Sequence, residues 1–141
     1  MNDLNQELRI DNIISPQDVA VAGTVSTNTN MYRSMSKYRK GLIVISGYLT
    51  NAKTAVGQLT CASDATGTGK ANVTSKTVIL TGATAAQNQV GSIEFDVSDL
   101  DLASNKYYVG VDITTNQNGD DVAAILIRGA ARYFEGSSMS I

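Results

Sequence analysis

Lys40-Gly-Leu-Ile-Val-Ile-Ser-Gly-Tyr-Leu-Thr50 places four branched apolar residues in a row, Leu42 to Ile45, between Gly41 and Gly47. A run this short, rich in β-branched residues and bounded by glycine, reads as a strand. Side chains alternate along a strand, so Ile43, Ile45 and Leu49 take one face while Leu42, Val44, Ser46 and Tyr48 take the other. Apolar residues on both faces predict a central strand covered on each side. The rest of the chain is expected to fold against it.

Working outward, the same alternation recurs. Ile93, Phe95 and Val97 oppose Ser92, Glu94 and Asp96, and Tyr107, Val109, Val111 and Ile113 oppose Tyr108, Gly110, Asp112 and Thr114. Residues 53–61 give a strand with Ala55, Gly57, Leu59 and Cys61 on one face, and 73–81 give another. Between the Ile93 and Tyr107 strands, Leu100 and Leu102 are expected to tuck inward. Asn118-Gly119 is the strongest hairpin signal, suited to a type I′ turn. It predicts a hairpin between the Tyr107 strand and 121–128, where Ile125 and Ile127 face one way and Leu126 the other. Upstream, 17–23 reads as a strand and 31–38 alternates into the central one. Strands spaced about ten residues apart with turn residues between them predict an all-β fold, an antiparallel β-sandwich or barrel.

Residues 1–16 differ. Leu4, Leu8, Ile10, Ile13 and Ile14 are mixed with Asp3, Glu7, Arg9 and Asp11 and keep no clean stripe. One reading is an N-terminal arm or short helix reaching a neighbouring subunit; the other is a frayed end or a first strand completing the sheet. Five apolar side chains are many for a free tail. The organisation expected is thus an arm over 1–16, a sandwich over 17–134 and a flexible tail over 135–141.

Composition narrows the chemistry. The 141 residues contain no histidine, which removes the commonest general base and metal ligand. The single Cys61 permits neither an intrachain disulfide nor a thiolate metal cage. A net charge of −2 argues against a dedicated nucleic-acid binder. There is no apolar run long enough for a membrane helix and no secretory leader, so no membrane is expected as a partner, and with no histidine and no cofactor motif no cofactor is expected either. Thr66-Gly-Thr-Gly-Lys70 is not a phosphate loop, since Asp64 stands where the motif needs glycine and Ala71 where it needs Ser or Thr. Asp96, Asp99 and Asp101, and the set Asp112, Asn116, Asn118, Asp120 and Asp121, are oxygen-rich sets of the kind that can hold Ca²⁺, but neither matches the EF-hand loop, and Asp and Asn also favour turns. The absence of Trp counts against a sugar platform or a hydrolase. Arg33, Lys37, Arg39 and Lys40 form a local basic cluster, read as edge protection or a polar subunit interface.

Three blocks carry a resemblance: Ser36-Lys-Tyr-Arg-Lys-Gly-Leu-Ile-Val-Ile-Ser-Gly-Tyr48 with the 61–70 loop and the 73–82 strand; Ile93-Glu-Phe-Asp-Val-Ser-Asp-Leu-Asp-Leu102; and Tyr107-Tyr-Val-Gly-Val-Asp-Ile113 with Ala123-Ala-Ile-Leu-Ile-Arg-Gly-Ala-Ala-Arg-Tyr133. In this order they resemble a family of small structural proteins encoded beside the capsid genes of tailed bacteriophages. The resemblance spans 17–133 and implies a jelly-roll-like sandwich acting as a head decoration (cement) protein without catalysis. It further implies the major capsid protein as partner, a homo-oligomer (dimer or trimer), synthesis in the host bacterial cytoplasm and a place on the capsid surface of the virion. Contact residues expected on that reading are Leu4, Leu8, Ile10, Ile13 and Ile14 of the arm with Arg33, Lys37, Arg39 and Lys40. The 1–16 segment is longer than the leaders of that family, which leaves a neck, tail or head-fibre role open, and a carbohydrate- or host-binding module stands as the other alternative.

Overall fold

The computed structural model describes residues 8–19, 23–49, 53–82, 87–116 and 120–131. Nine strands are described: β1 (Arg9–Val19), β2 (Thr24–Ser26), β3 (Arg33–Ser34), β4 (Tyr38–Leu49), β5 (Thr54–Ala62), β6 (Ala71–Thr81), β7 (Gln87–Asp96), β8 (Tyr108–Thr115) and β9 (Asp120–Ala131). Two single-turn 3-10 helices, Val97–Asp99 and Leu102–Ser104, bridge β7 and β8. One sheet has the order β1-β9-β4-β7, the other β2-β8-β5-β6 with β3 also on β8, and every pairing is antiparallel. Consecutive strands mostly change sheet, and first pairs with last. This is a jelly-roll β-sandwich.

The core lies between the sheets. Ile43, Ile45 and Leu49 of β4, Leu59 of β5, Val109, Val111 and Ile113 of β8, and Val122 and Leu126 of β9 are fully buried there. Close approach fixes two glycines. A Cβ on Gly41 would stand 2.2 Å from the ring of Phe95, its cross-strand partner, and one on Gly110 would stand 2.5 Å from Tyr32. Phe95 and Tyr32 lie over backbone where any larger residue would have a side chain.

Residues 9–16 are not an arm or short helix outside the domain, and the expected boundary at 16/17 falls inside β1. Its register on β9 slips between Asn12 and Ile14 and again between Ile14 and Gln17. An extra residue in a strand turns successive side chains to one side, so Ile13 and Ile14 are both fully buried, and neither is available as an outward contact. Pro16 sits in the second irregularity of this edge strand, where its missing N–H costs no ladder bond. Leu4, the 135–141 tail and Asn118-Gly119 lie outside the described residues. The hairpin expected at Asn118-Gly119 is overturned by the pairing of its flanks, since β8 bonds to β5, β2 and β3 while β9 bonds to β1 and β4. Leu100 is buried as expected, but Leu102 is 40% exposed because its 3-10 turn points it outward.

Arg9 opens β1 opposite Arg128, and on the other flank of β9 Tyr38 pairs with Ala131. The first residue of β1 and the last of β9 therefore share one end of the sheet.

Candidate interaction site

β4 is central in its sheet, between β9 and β7, but it is not covered on both faces. Ile43, Ile45 and Leu49 point into the core, whereas Leu42 and Val44 are half-buried and Tyr48 is exposed on the outer side. The ladder aligns this outer row with its neighbours. Leu42 pairs with Ile127, which pairs with Ile10; Val44 pairs with Ile125; Ser46 pairs with Ala123 and Val90; Tyr48 pairs with Asp121 and Asn88. The result is an apolar centre of Ile10, Leu42, Val44, Ile125 and Ile127, with Leu8 at its upper end and Val90 at its lower side. Ile10 is 63% exposed and Val90 68%. Lys40, Glu94, Asn12, Ser92, Asn88 and Asp121 surround it in register. An apolar centre with a polar rim is the build of a protein contact surface.

Two hollows mark its ends. The upper, about 390 Å³, is lined by Leu8, Lys40, Leu42, Glu94, Ile127 and Gly129. The lower, about 250 Å³, is lined by Pro16, Ser46, Tyr48, Asn88, Asp121 and Ala123. At the upper rim Lys40 Nζ lies 3.6 Å from Asp96. Asp96 is held below the ordinary carboxylate range chiefly by the backbone N–H of Ser98, which donates to Oδ1 at 3.0 Å, with Lys40 adding to the effect.

The basic cluster is dispersed. Arg33 is half-buried and committed to Asp11 at 3.5 Å and to the Asn30 carbonyl at 3.0 Å. Lys37 is exposed in the turn before β4, Arg39 is exposed at the start of β4, and Lys40 joins the outer face. Several aspartates are likewise engaged. Asp99 accepts from the Asp96 N–H at 2.8 Å and lies 3.5 Å from Lys76. Asp112 takes Lys70 Nζ at 2.9 Å, an ion-paired hydrogen bond that raises the ammonium above its ordinary value. Asp64 orders the 63–70 loop, its Oδ1 accepting from the N–H of Thr66 and of Thr68, both at 3.0 Å, and from the Thr66 hydroxyl at 2.6 Å. Among the described residues no three acidic or cysteine side chains converge as a metal site. Of the four described arm residues, Leu8 and Ile10 stand on the outer face, while Ile13 and Ile14 are buried. Leu42, Val44, Ile125, Ile127, Val90 and Tyr48 belong to it without having been singled out by sequence. The signal was present: apolar residues on both faces of one strand mean either double burial or one face awaiting a partner.

No protein-family model matches the sequence, and no curated protein matches it. Among solved structures, the chain is similar to the PBSX exported protein XepA (TM-score 0.55, 7% identity, 96% of this chain and 41% of that one). It is similar also to the SPBc2 prophage-derived protein YomS (0.44, 7%, 88% and 94%). A third is a carbohydrate-binding module from the glycoside hydrolase family 9 enzyme Cel9A of Ruminococcus flavefaciens FD-1 (0.47, 14%, 88% and 98%). The chain spans less than half of XepA. At these identities the likeness is one of fold.

Proposed function

We propose that the protein is a virion structural protein that binds and stabilises a phage capsid as a decoration protein, through subunit contacts and without catalysis. The outer face of the β1-β9-β4-β7 sheet carries this reading. A soluble jelly roll that worked alone would have polar side chains at Leu42, Val44, Ile125 and Ile127. The likeness in fold to XepA, a phage-derived protein, and the family resemblance of the sequence support it. The partner on this reading is the major capsid protein, met after synthesis in the bacterial cytoplasm. The mechanism is mass action: a protein that binds only the assembled shell stabilises it in proportion to RT ln(1 + [L]/Kd) at every site, and spanning two capsid subunits multiplies the effect. Heads lacking this protein, mixed with the purified chain, should carry it down on sedimentation and survive to a higher temperature. A chain that stays in the supernatant at saturating concentration overturns the proposal. Immunogold labelling separates the capsid surface from a neck, tail or head-fibre position.

A second reading, a carbohydrate-binding module, is favoured by one observation. Tyr48 is 44% exposed in the lower hollow, flanked in register by Asn88 and Asp121. An aromatic ring with an amide and a carboxylate beside it suits a sugar ring. A glycan-array signal that vanishes in Tyr48→Ala would establish it.

A further inference from the structure

We infer that the outer face of the β1-β9-β4-β7 sheet receives the same face of a second copy, with the strands of the two copies antiparallel. The inference rests on the reading of this face as a subunit contact and names a second copy as its occupant, which leaves the capsid to the surfaces the dimer keeps exposed.

Size comes first. Along the outer face the paired rows run from large to small, Leu42–Ile127, then Val44–Ile125, then Ser46–Ala123. A two-fold axis lying in the interface, perpendicular to the strands and crossing the Val44–Ile125 row, sets the large row of each copy over the small row of the other. The middle row then meets itself. An axis along the strands would instead stack Leu42–Ile127 on itself and leave a gap above Ser46–Ala123.

Charge makes the same choice. Lys40 and Asp121 stand at opposite ends of the face, four rows apart in register. Antiparallel stacking brings Lys40 of each copy beside Asp121 of the other, twice by symmetry. Parallel stacking would set lysine against lysine and aspartate against aspartate. The area is adequate: strands ~4.8 Å apart with outward residues every ~6.8 Å give a flat footprint of roughly 600 Å² per copy. Side-chain relief brings that near the ~800 Å² per partner of a standard interface. Two twisted sheets also pack well face to face at about 10 Å, forming a second core between the copies.

The test is sedimentation velocity on the full chain in solution, without particles. The unmodified chain should be a dimer. Lys40→Glu and Asp121→Lys should each weaken it about tenfold, since each alters two contacts, and the double variant should restore it. Val44→Cys, on the axis, should cross-link between copies with a short bis-maleimide, while the unmodified chain, whose Cys61 is buried, should not. A monomer at the highest soluble concentration, or a dimer indifferent to both charge reversals and not linked through Val44→Cys, overturns the inference. Head binding is read separately. A monomer whose Leu42→Asp variant loses the heads defeats the second copy and leaves the decoration role standing; a dimer that ignores heads does the reverse. Circular dichroism on each variant confirms that the sandwich is intact.

Discussion

Arg128 stands where the core-facing row of β9 reaches the end of the core. Val122, Ala124 and Leu126 are buried ahead of it, and it keeps their orientation. Its guanidinium is therefore enclosed: it meets Asp11 at 2.5 Å, donates to the Ser34 carbonyl at 2.8 Å and lies 4.7 Å from the centre of the Tyr38 ring. Asp11 is also within reach of Arg33 and Arg9. Removing one partner of such an enclosed pair leaves the other charged and unsolvated, which costs about 3–5 kcal/mol. Asp11→Ala should lower the urea-unfolding free energy by that order; Arg128→Ala, which leaves Asp11 facing Arg33 and Arg9, should cost less, and Arg128→Met less again because it keeps the bulk. Asp64 gives a pH-dependent case. Hydrogen bonds from Thr66 and Thr68 hold its carboxyl well below the ordinary range. A depressed folded value means stability that is fully present above the unfolded value of about 4 and lost as pH falls through the folded one. Asp64→Ala should melt below the unmodified chain at pH 7, with the gap closing as the pH is lowered past that range. None of this was legible in sequence, where Asp11 belonged to an arm and Arg128 was one cation on a strand.

At the scale of elements, β1 and β4 show what alternation reveals and what it hides. Inward residues of β4, β7 and β8 follow the period of two that the sequence displays. β1 does not, because its irregularities put Ile13 and Ile14 on one side and blur the pattern that would have marked it as a strand. On β4 the pattern was read correctly and its meaning was not, since alternation alone does not distinguish an apolar face that the chain covers from one that it leaves open. The Gly41–Phe95 pair supplies the element-scale prediction. Gly41→Ala forces the Phe95 ring to shift, and overpacking of this kind costs about 1–3 kcal/mol. Phe95→Leu combined with Gly41→Ala should destabilise less than the sum of the two single changes, measured by thermal or urea unfolding.

For the whole molecule, strand order decides how the fold is reached. β9 lies between β1 and β4, so the four-stranded sheet is split until the last strand arrives. A chain ending before Asp120 should show no cooperative unfolding transition, by calorimetry or circular dichroism, despite keeping eight of the strands. The β-sandwich class was readable from spacing and turn residues, because those are local. The pairing of first strand with last was not, since Asn118-Gly119 argued for neighbours that the long-range order separates.

The chain enters β1 and leaves β9 at one corner of the sandwich, with Arg9 and Arg128 abreast. A short linker joining the start of β1 directly to the end of β9 would close the nine described strands into a ring, and fresh ends opened in the surface loop around Thr66 should yield a permuted protein of the same shape. Peptides fused ahead of β1 and behind β9 would start side by side, which makes this corner a natural point for mounting paired cargo.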